Sequence, residues 1–405
     1  MKILVIGSGG REHALCWKLG QSPGVEVFAC PGNPGMARVA TCIPGDPLDA
    51  AQRARADLTV VGPEVPLVAG VVDAFRARGL GIVGPTGDAA RLEGSKVFAK
   101  DFFVQRSIPT AAYVVVEDAF QARVTLGRFG FPVVLKADGL AAGKGVIVAH
   151  DASEAEAALG TLTGRLVIEE FLTGEEISFI ALCDGRDALP LAASQDHKAV
   201  FDGDRGPNTG GMGAYCAEGL LSEKDTRMVM DRVIYPTVEA MKFTGFLYAG
   251  LMMTADGPKV LEFNVRLGDP EAQPLMHRME SDFVPALVAA SEGKLAGHKL
   301  AWHAGPSVCV VLASAGYPGA YETGKEIRGL EMAEAKGATV FHAGTRTLHG
   351  RLETSGGRVL GVTASGADLP AAIAAAYEGV RHIEFEGMHY RRDIASKGLK
   401  RASAS

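Results

Sequence analysis

Apolar residues recur along the first hundred positions as short solid runs separated by amphipathic stretches. Lys2–Ile6, Val25–Cys30, Leu58–Val61 and Gly81–Val83 read as strands; Glu12–Leu19, Pro47–Arg55 and Pro66–Arg78 read as helices. Unbroken apolar runs suit strands covered on both faces, so the alternation predicts a doubly wound parallel sheet. Such sheets take ligands at the carboxyl ends of their strands. That singles out three loops: Gly7-Ser-Gly-Gly-Arg-Glu12, Pro31-Gly-Asn-Pro-Gly35 and Gly62-Pro-Glu-Val-Pro66.

The rhythm changes near residue 95. Ser95 is placed to cap a new helix. Beyond it Phe131–Ala137, Gly145–Ala149, Leu166–Glu170, Ile177–Cys183 and Ala188–Ser194 read as strands joined by glycine turns, which predicts antiparallel sheet. Ser222–Met241 reads as one long helix and Asp282–Glu292 as another. A smaller module follows residue 306, with strands Ser307–Ala313, Thr339–Phe341 and Arg358–Ala364 and helix Leu369–Val380. The basic, Ser-rich tail after Lys397 is expected to be disordered.

Within this pattern one strand carries chemistry. In Val260-Leu-Glu-Phe-Asn-Val-Arg-Leu-Gly-Asp-Pro-Glu271 strict alternation puts Leu261, Phe263 and Val265 on one face and Glu262, Asn264 and Arg266 on the other. Carboxylate and carboxamide oxygens suit magnesium. A guanidinium beside them suits a phosphate. The turn after the strand adds Asp269 and Glu271.

Val133-Val-Leu-Lys136-Ala-Asp-Gly-Leu-Ala-Ala-Gly-Lys144-Gly-Val-Ile-Val148 reads as strand, glycine-rich turn, strand. Gly139, Gly143 and Gly145 free the backbone to approach a ligand, and Lys136 and Lys144 flank the turn, so polyphosphate fits. It is not a Walker loop, because a strand follows it and Gly145 occupies the Ser/Thr position. Gly7–Glu12 is a broken dinucleotide fingerprint: Glu12 stands where a third glycine is needed, which argues against a nicotinamide oxidoreductase. What remains is an anion cradle of Gly9, Gly10 and Arg11 at a helix start. Lys96 and Lys100 share a helix face. Gly206-Pro-Asn-Thr-Gly-Gly-Met-Gly213 is too glycine-dense for a helix or strand interior and reads either as a segment that moulds around a small polar substrate or as a mobile loop. His197, in Ser194-Gln-Asp-His-Lys198, reads either as a base or as a structural histidine.

Composition narrows the class. The chain has 405 residues, 47% apolar and 22% charged, with a net charge of −6. That describes an enzyme-sized globular protein of roughly two to four domains. The acidic balance gives no nucleic-acid footprint. No segment reaches the roughly 18 apolar residues needed to span a bilayer. The start, Met-Lys-Ile-Leu-Val-Ile-Gly, reads as a buried strand, not a signal peptide. Six scattered cysteines without Cys-x-x-Cys suit free thiols in the cytoplasm.

Taken together, Gly9-Gly-Arg-Glu-His13, Gly62-Pro-Glu, Leu92-Glu-Gly-Ser-Lys96, the Lys136–Val146 loop, Gln195-Asp-His-Lys198, Gly206–Gly213 and Arg266-Leu-Gly-Asp-Pro-Glu271 resemble the ATP-grasp ligases. Among these the match is to the glycinamide ribonucleotide synthetase (phosphoribosylamine–glycine ligase) family of purine biosynthesis, and it runs from Met1 to about Arg392. The resemblance implies a Rossmann-like parallel-sheet domain over 1–94, taking phosphoribosylamine. It implies an ATP-grasp α+β domain over 95–293 with a lid subdomain about 112–176, and a small C-terminal α+β domain over 306–395. It implies ligation of glycine to 5-phosphoribosylamine with ATP and magnesium (or manganese), giving glycinamide ribonucleotide, ADP and phosphate. Small molecules are then the partners, without nucleic acid or membrane, and with possible transient contact with neighbouring pathway enzymes.

Residue roles follow from the same resemblance. ATP would be held by Lys96, Lys136 and the Asp138–Gly145 loop, with Gly139 and Gly143. Glu169, Glu170, Phe171 and Leu172 would hold the base, and Glu176 the ribose. Glu262 and Asn264 would bind the metal, since Tyr248–Asp256 offers no second carboxylate at the usual place. Arg266, Lys144 and Asp196 would be catalytic. Asn208, Thr209, Gly210, Gly211, Met212, Gly213, Asp269 and Glu271 would shape the glycine side, and Gly9, Gly10, Glu12 and Asn33 the phosphoribosylamine side.

Overall fold

The computed structural model describes residues 1–140 and 145–404. Its N-terminal part is a five-stranded parallel sheet, ordered Thr41–Cys42, Glu26–Pro31, Lys2–Gly7, Leu58–Val61, Ile82–Val83. The central strand buries Ile3, Leu4, Val5 and Ile6 between helices on both faces, as its unbroken apolar run requires. The stretch expected as one helix over Pro66–Arg78 is two, Glu64–Val68 and Val71–Arg76, because Gly70 between them is left-handed at φ 81°.

Helix Lys96–Gln105 starts where expected, with the Ser95 side chain accepting from the Phe98 N–H. It leads into a four-stranded antiparallel sheet, ordered Tyr113–Val116, Leu166–Glu170, Val133–Ala137, Val146–Ala149. Helices Ala119–Phe129 and Ala152–Thr161 cover it and give it a core of its own around Val133, Leu135, Leu159 and Ile168.

Most of the remaining strands form a larger sheet, apart from the hairpins Ala199–Phe201 with Arg205–Asn208 and Thr345–Leu348 with Arg351–Thr354. Its path runs Gly257–Asn264, Thr244–Thr254, Glu175–Asp184, Ser194–Asp196, Gly213–Cys216, Ser307–Ser314, Arg358–Ser365, Thr339–His342. Strands Ser307–Ser314, Arg358–Ser365 and Thr339–His342 therefore continue this sheet, through Gly213–Cys216 paired with Ser307–Val310. Ala188–Ser194, expected as one strand, is divided between Ala188–Pro190 and Ser194–Asp196.

Two further expectations are corrected. The long helix over Ser222–Met241 is interrupted by a π-helical turn at Met230–Ile234 between Glu223–Val229 and Tyr235–Met241. Pro236 supplies the reason, since its missing N–H and its ring break the regular ladder one turn back. The described part of the tail is helical, over Ser396–Ala404, where disorder was expected. Lys397 Nζ pairs with Asp204 at 2.9 Å and Arg401 Nη1 donates to the Leu220 carbonyl at 2.8 Å. Among the described residues no helix is long and apolar enough to cross a membrane.

Candidate active site

Strand Gly257–Asn264 does not alternate as its sequence suggests. Gly250 of the neighbouring strand pairs with Glu262 while Leu251 pairs with Val260, so Leu261 is the extra residue of a bulge. Val260, Phe263 and Val265 enter the core, and Phe263 packs edge-on against Phe103 at 4.9 Å. Leu261, expected on that face, instead lines a cleft, and its carbonyl accepts from Lys136 Nζ at 2.9 Å. The bulge leaves Glu262, Asn264 and Arg266 all lining the same cleft.

That cleft, of about 630 Å³, lies between the large sheet and the four-stranded sheet. The volume falls in the range of small-ligand sites, roughly 300–1,000 Å³. On one side stand lysines. Lys136 and Lys100 each sit 3.0 Å from opposite oxygens of the buried Glu169 carboxylate. Lys100 also donates to Thr110 Oγ1 at 2.6 Å. Burial pushes Lys100 down to about 8 and also lowers Lys96. Both members of the pair four residues apart reach the cleft, and Lys96 Nζ donates to the Gly139 carbonyl at 2.8 Å. Phe171 and Leu172 give the same end an apolar wall, while Glu170 pairs with Lys259 at 3.2 Å.

Asp138 anchors the root of the glycine-rich turn. Its Oδ1 accepts from Ser95 Oγ at 2.9 Å, and its Oδ2 pairs with Arg165 at 2.8 Å. Gly139 and Gly145 line the cleft. Gly143 and Lys144 lie outside the described residues.

The other side of the cleft is dominated by arginines. Arg266 pairs with Glu93 at 2.7 Å and Glu64 at 3.2 Å, and donates to Asn264 Oδ1 at 3.0 Å. Those two carboxylates hold its charge firmly against the opposing effect of burial. Arg11 is ion-paired with Glu12 and donates to the Leu267 carbonyl at 3.1 Å. Arg358 donates to the carbonyls of Gly210 and Asp269, both at 2.6 Å, and pairs with Asp269 Oδ2 at 2.9 Å. Buried Glu271 accepts from Tyr248 Oη at 2.7 Å and Ser178 Oγ at 3.1 Å.

Electrostatics divides the carboxylates. Burial alone would raise Glu262, but Lys198, Lys136, Lys96 and Arg266 outweigh it and keep this carboxyl below its ordinary value. Asp196 is raised to about 8, first by burial and then by Glu271 and Glu176, against Lys198. Lys198 is ion-paired with Glu176. An ionised Glu262 next to the Asn264 oxygen is a donor set suited to a hard cation. Among the described residues no three His, Cys, Asp or Glu converge as a metal cage. A cation here would complete its shell from phosphate oxygens and water.

Not every expected residue reaches the cleft. Asn208, Thr209 and Gly210 line it. Met212 is buried against Val200 and Ala313, and Gly213 lies inside the sheet opposite Val310. His197 is structural: it is fully buried, burial pushes it to about 3, and its Nε2 accepts from the Ala395 N–H at 3.2 Å.

Gly9, Gly10, Glu12 and Asn33 form an adjoining neighbourhood. A Cβ on Gly9 would lie 3.6 Å from Asp269 Oδ2, and one on Gly10 would lie 2.6 Å from Gln273 Nε2. Glu12 accepts from the Gly9 N–H at 2.6 Å, which closes the helix start. Asn33 is fully engaged as a brace, giving its amide to the carbonyls of Ser8 and His342 at 2.8 Å and accepting from the Met36 N–H at 2.9 Å.

Sequence reasoning missed Arg358, Tyr317 and the role of Glu93. Arg358 begins an ordinary strand after Gly356-Gly357, and nothing local to it signals a cleft.

Comparison with known proteins places the whole chain. Models of phosphoribosylglycinamide synthetase match it in three parts: the N domain at residues 1–93, the ATP-grasp (A) domain at 94–272 and the C domain at 307–397. The phosphoribosylamine–glycine ligase of Allochromatium vinosum is 52% identical over 99% of both chains. That of Pseudomonas aeruginosa is 51% identical over the same shares. The crystal structure of the Thermotoga maritima phosphoribosylamine–glycine ligase superposes with a TM-score of 0.84 at 36% identity, covering 97% of this chain and 100% of that one. N5-carboxyaminoimidazole ribonucleotide synthetase of the same organism is similar in fold alone, with a TM-score of 0.65 at 20% identity, covering 95% of this chain and 99% of that one.

Proposed function

The chain belongs to the phosphoribosylglycinamide synthetase family, and from that premise we propose that it joins glycine to 5-phosphoribosylamine at the expense of ATP. The products are glycinamide ribonucleotide, ADP and phosphate. The observation that carries this reading is the ionised Glu262 beside Asn264 and Arg266, facing Lys96 and Lys136 across one cleft. Cation ligands and phosphate-binding charges thus face each other over a space of nucleotide size.

In this reading the triphosphate lies toward the lysines, with the base against Phe171 and Leu172. Glu262 and Asn264 would hold magnesium or manganese. When bound, that cation adds positive charge at the transferring phosphoryl group. Arg266, fixed by Glu64 and Glu93, meets the phosphoryl and glycine oxygens with a guanidinium that needs no reorganisation. A glycine carboxylate oxygen attacks the γ-phosphorus as the bond to ADP breaks, giving glycyl phosphate. The amine nitrogen of phosphoribosylamine then attacks the acyl carbon, the acyl–phosphate bond breaks, and the amine gives up a proton. Glycyl phosphate and phosphoribosylamine both hydrolyse readily, so the cleft must exclude water during the reaction. Asp196, beside Lys198, takes part at the acceptor end. We place the reaction in the cytoplasm, where the free cysteines Cys16, Cys30, Cys42, Cys183, Cys216 and Cys309 are at home.

Phosphate release is the test, measured with ATP, glycine and freshly made phosphoribosylamine while each component is omitted in turn. Release that requires all three supports the reading. Full release without glycine or without the amine sinks it.

A further inference from the structure

Both backbone polar groups of Gly210 are held by side chains from beyond residue 306. Its N–H donates to Tyr317 Oη at 3.0 Å and its carbonyl accepts from Arg358 Nη1 at 2.6 Å. The same guanidinium reaches the Asp269 carbonyl at 2.6 Å and its carboxylate at 2.9 Å. One residue therefore bridges the Asn208–Gly213 loop and the Leu267–Glu271 turn, two walls of the cleft that are distant in sequence. The foot of the loop has local anchors: the Thr209 N–H and hydroxyl both donate to the Lys198 carbonyl at 2.8 Å. Its tip has Arg358 and Tyr317.

The spacing at this point is tight. A Cβ on Gly211 would overlap the Pro270 ring, and one on Gly210 would stand 3.0 Å from Arg358 Cζ. Excluding a substrate one methyl group larger needs walls held to less than the size of that methyl, and hydrophobic fit alone discriminates such pairs weakly. A planar fork making several hydrogen bonds at once is suited to fixing such a distance, which a single ammonium is not.

Resting on the ligase reading above, we infer that Arg358 is a positioning residue, assisted by Tyr317, that sets the width of the acceptor pocket and with it the preference for glycine over alanine. It acts through the loop and the turn. ATP, bound against the opposite wall, is not affected by it.

The test uses the full-length protein with Arg358→Met, Arg358→Lys and Tyr317→Phe. In Arg358→Met the KM for glycine should rise about tenfold while that for ATP stays within about twofold, as losing charge-assisted hydrogen bonds implies. The ratio of alanine to glycine turnover should rise. Arg358→Lys should recover part of the loss, and Tyr317→Phe should move the same way by less. Hydrogen exchange across residues 208–213 should quicken in Arg358→Met and stay unchanged across 133–137. A parallel rise in both KM values, or unchanged exchange at 208–213, overturns the inference. Should Arg358→Met fail to fold, Tyr317→Phe must still show the split, and its absence is equally fatal. If the unsubstituted protein releases no ADP in response to glycine, the reaction assignment falls, while the exchange measurement still decides the bridge.

Discussion

The two ends of the cleft use different cations. The end assigned to the nucleotide is built from lysines: Lys96, Lys100 and Lys136. The end assigned to the acceptors is built from arginines: Arg11, Arg266 and Arg358. Lysine is a compact charge that burial can neutralise, and Lys100 is already pushed down to about 8. Arginine stays charged and forks between partners. Arg266 reaches Glu64 and Glu93, and Arg358 reaches Asp269 and two carbonyl groups of separate segments. The lysine end therefore includes two ammonium groups, Lys96 and Lys100, that burial makes easier to discharge. The arginine end is a set of permanent clamps that hold separate parts of the chain in register.

The largest effect should come from the group between the two ends. Glu262→Gln removes the charge proposed to hold the cation, and turnover should fall by about a hundredfold or more, as for other lost electrostatic stabilisers of phosphoryl transfer. Thermal unfolding should barely change. Near-normal magnesium-dependent turnover would end the metal assignment.

Arg266→Met tests the clamp. It strands Glu93, whose carboxylate is 7% exposed, and uncompensated burial of that kind costs about 3–5 kcal/mol. Denaturant titration should show that loss together with impaired glycine use. A stable variant with a purely kinetic defect would mean that the arginine end does not brace the fold.

Asp196→Asn should separate function from stability. The folded carboxyl titrates near 8, well above its ordinary value, so the folded state binds the extra proton between roughly 4 and 8. Stability from this group is full below that window and is lost as pH rises through it. The Asn variant should therefore unfold at higher denaturant than the parent at pH 8, and by a smaller margin at pH 5. It should turn over more slowly. An equal shift at both pH values would remove Asp196 as the titrating group.

Lys100→Met should have the smallest effect, and its sign is opposite. The folded ammonium titrates near 8, below its value of about 10.4 in the unfolded chain, so the unfolded chain binds more protons between those values. Stability from this group rises with pH across that window, and the variant should lose this slope. In the parent, ATP affinity should fall as pH passes 8. If it does not, the contrast between a titratable and a permanent end fails.

Much of this could be read along the chain because the signals are local. A run such as Ile3–Ile6 needs cover on both faces whatever surrounds it, and Ser95 can cap only the helix that follows it. Glu262 and Asn264 were legible because strand geometry forces side chains two apart onto one face, whereas Arg266 lies just past the strand's end and is held there by Glu64 and Glu93. Leu261 was misread because a bulge depends on the partner strand, where Gly250 and Leu251 set the register. The tail was misread because its order comes from Asp204 and Leu220, nearly two hundred residues away.

The sequence by itself therefore determined the element order, the family and the chemical types present at the site, since each rests on periodicity or on contiguous motifs. Tertiary structure alone decided which charges meet. Arg358 faces Asp269, Arg266 faces Glu93, and one glutamate, Glu169, joins two lysines. Those pairings form when distant segments close on each other, and Coulomb attraction depends on separation in space, not on spacing along the chain.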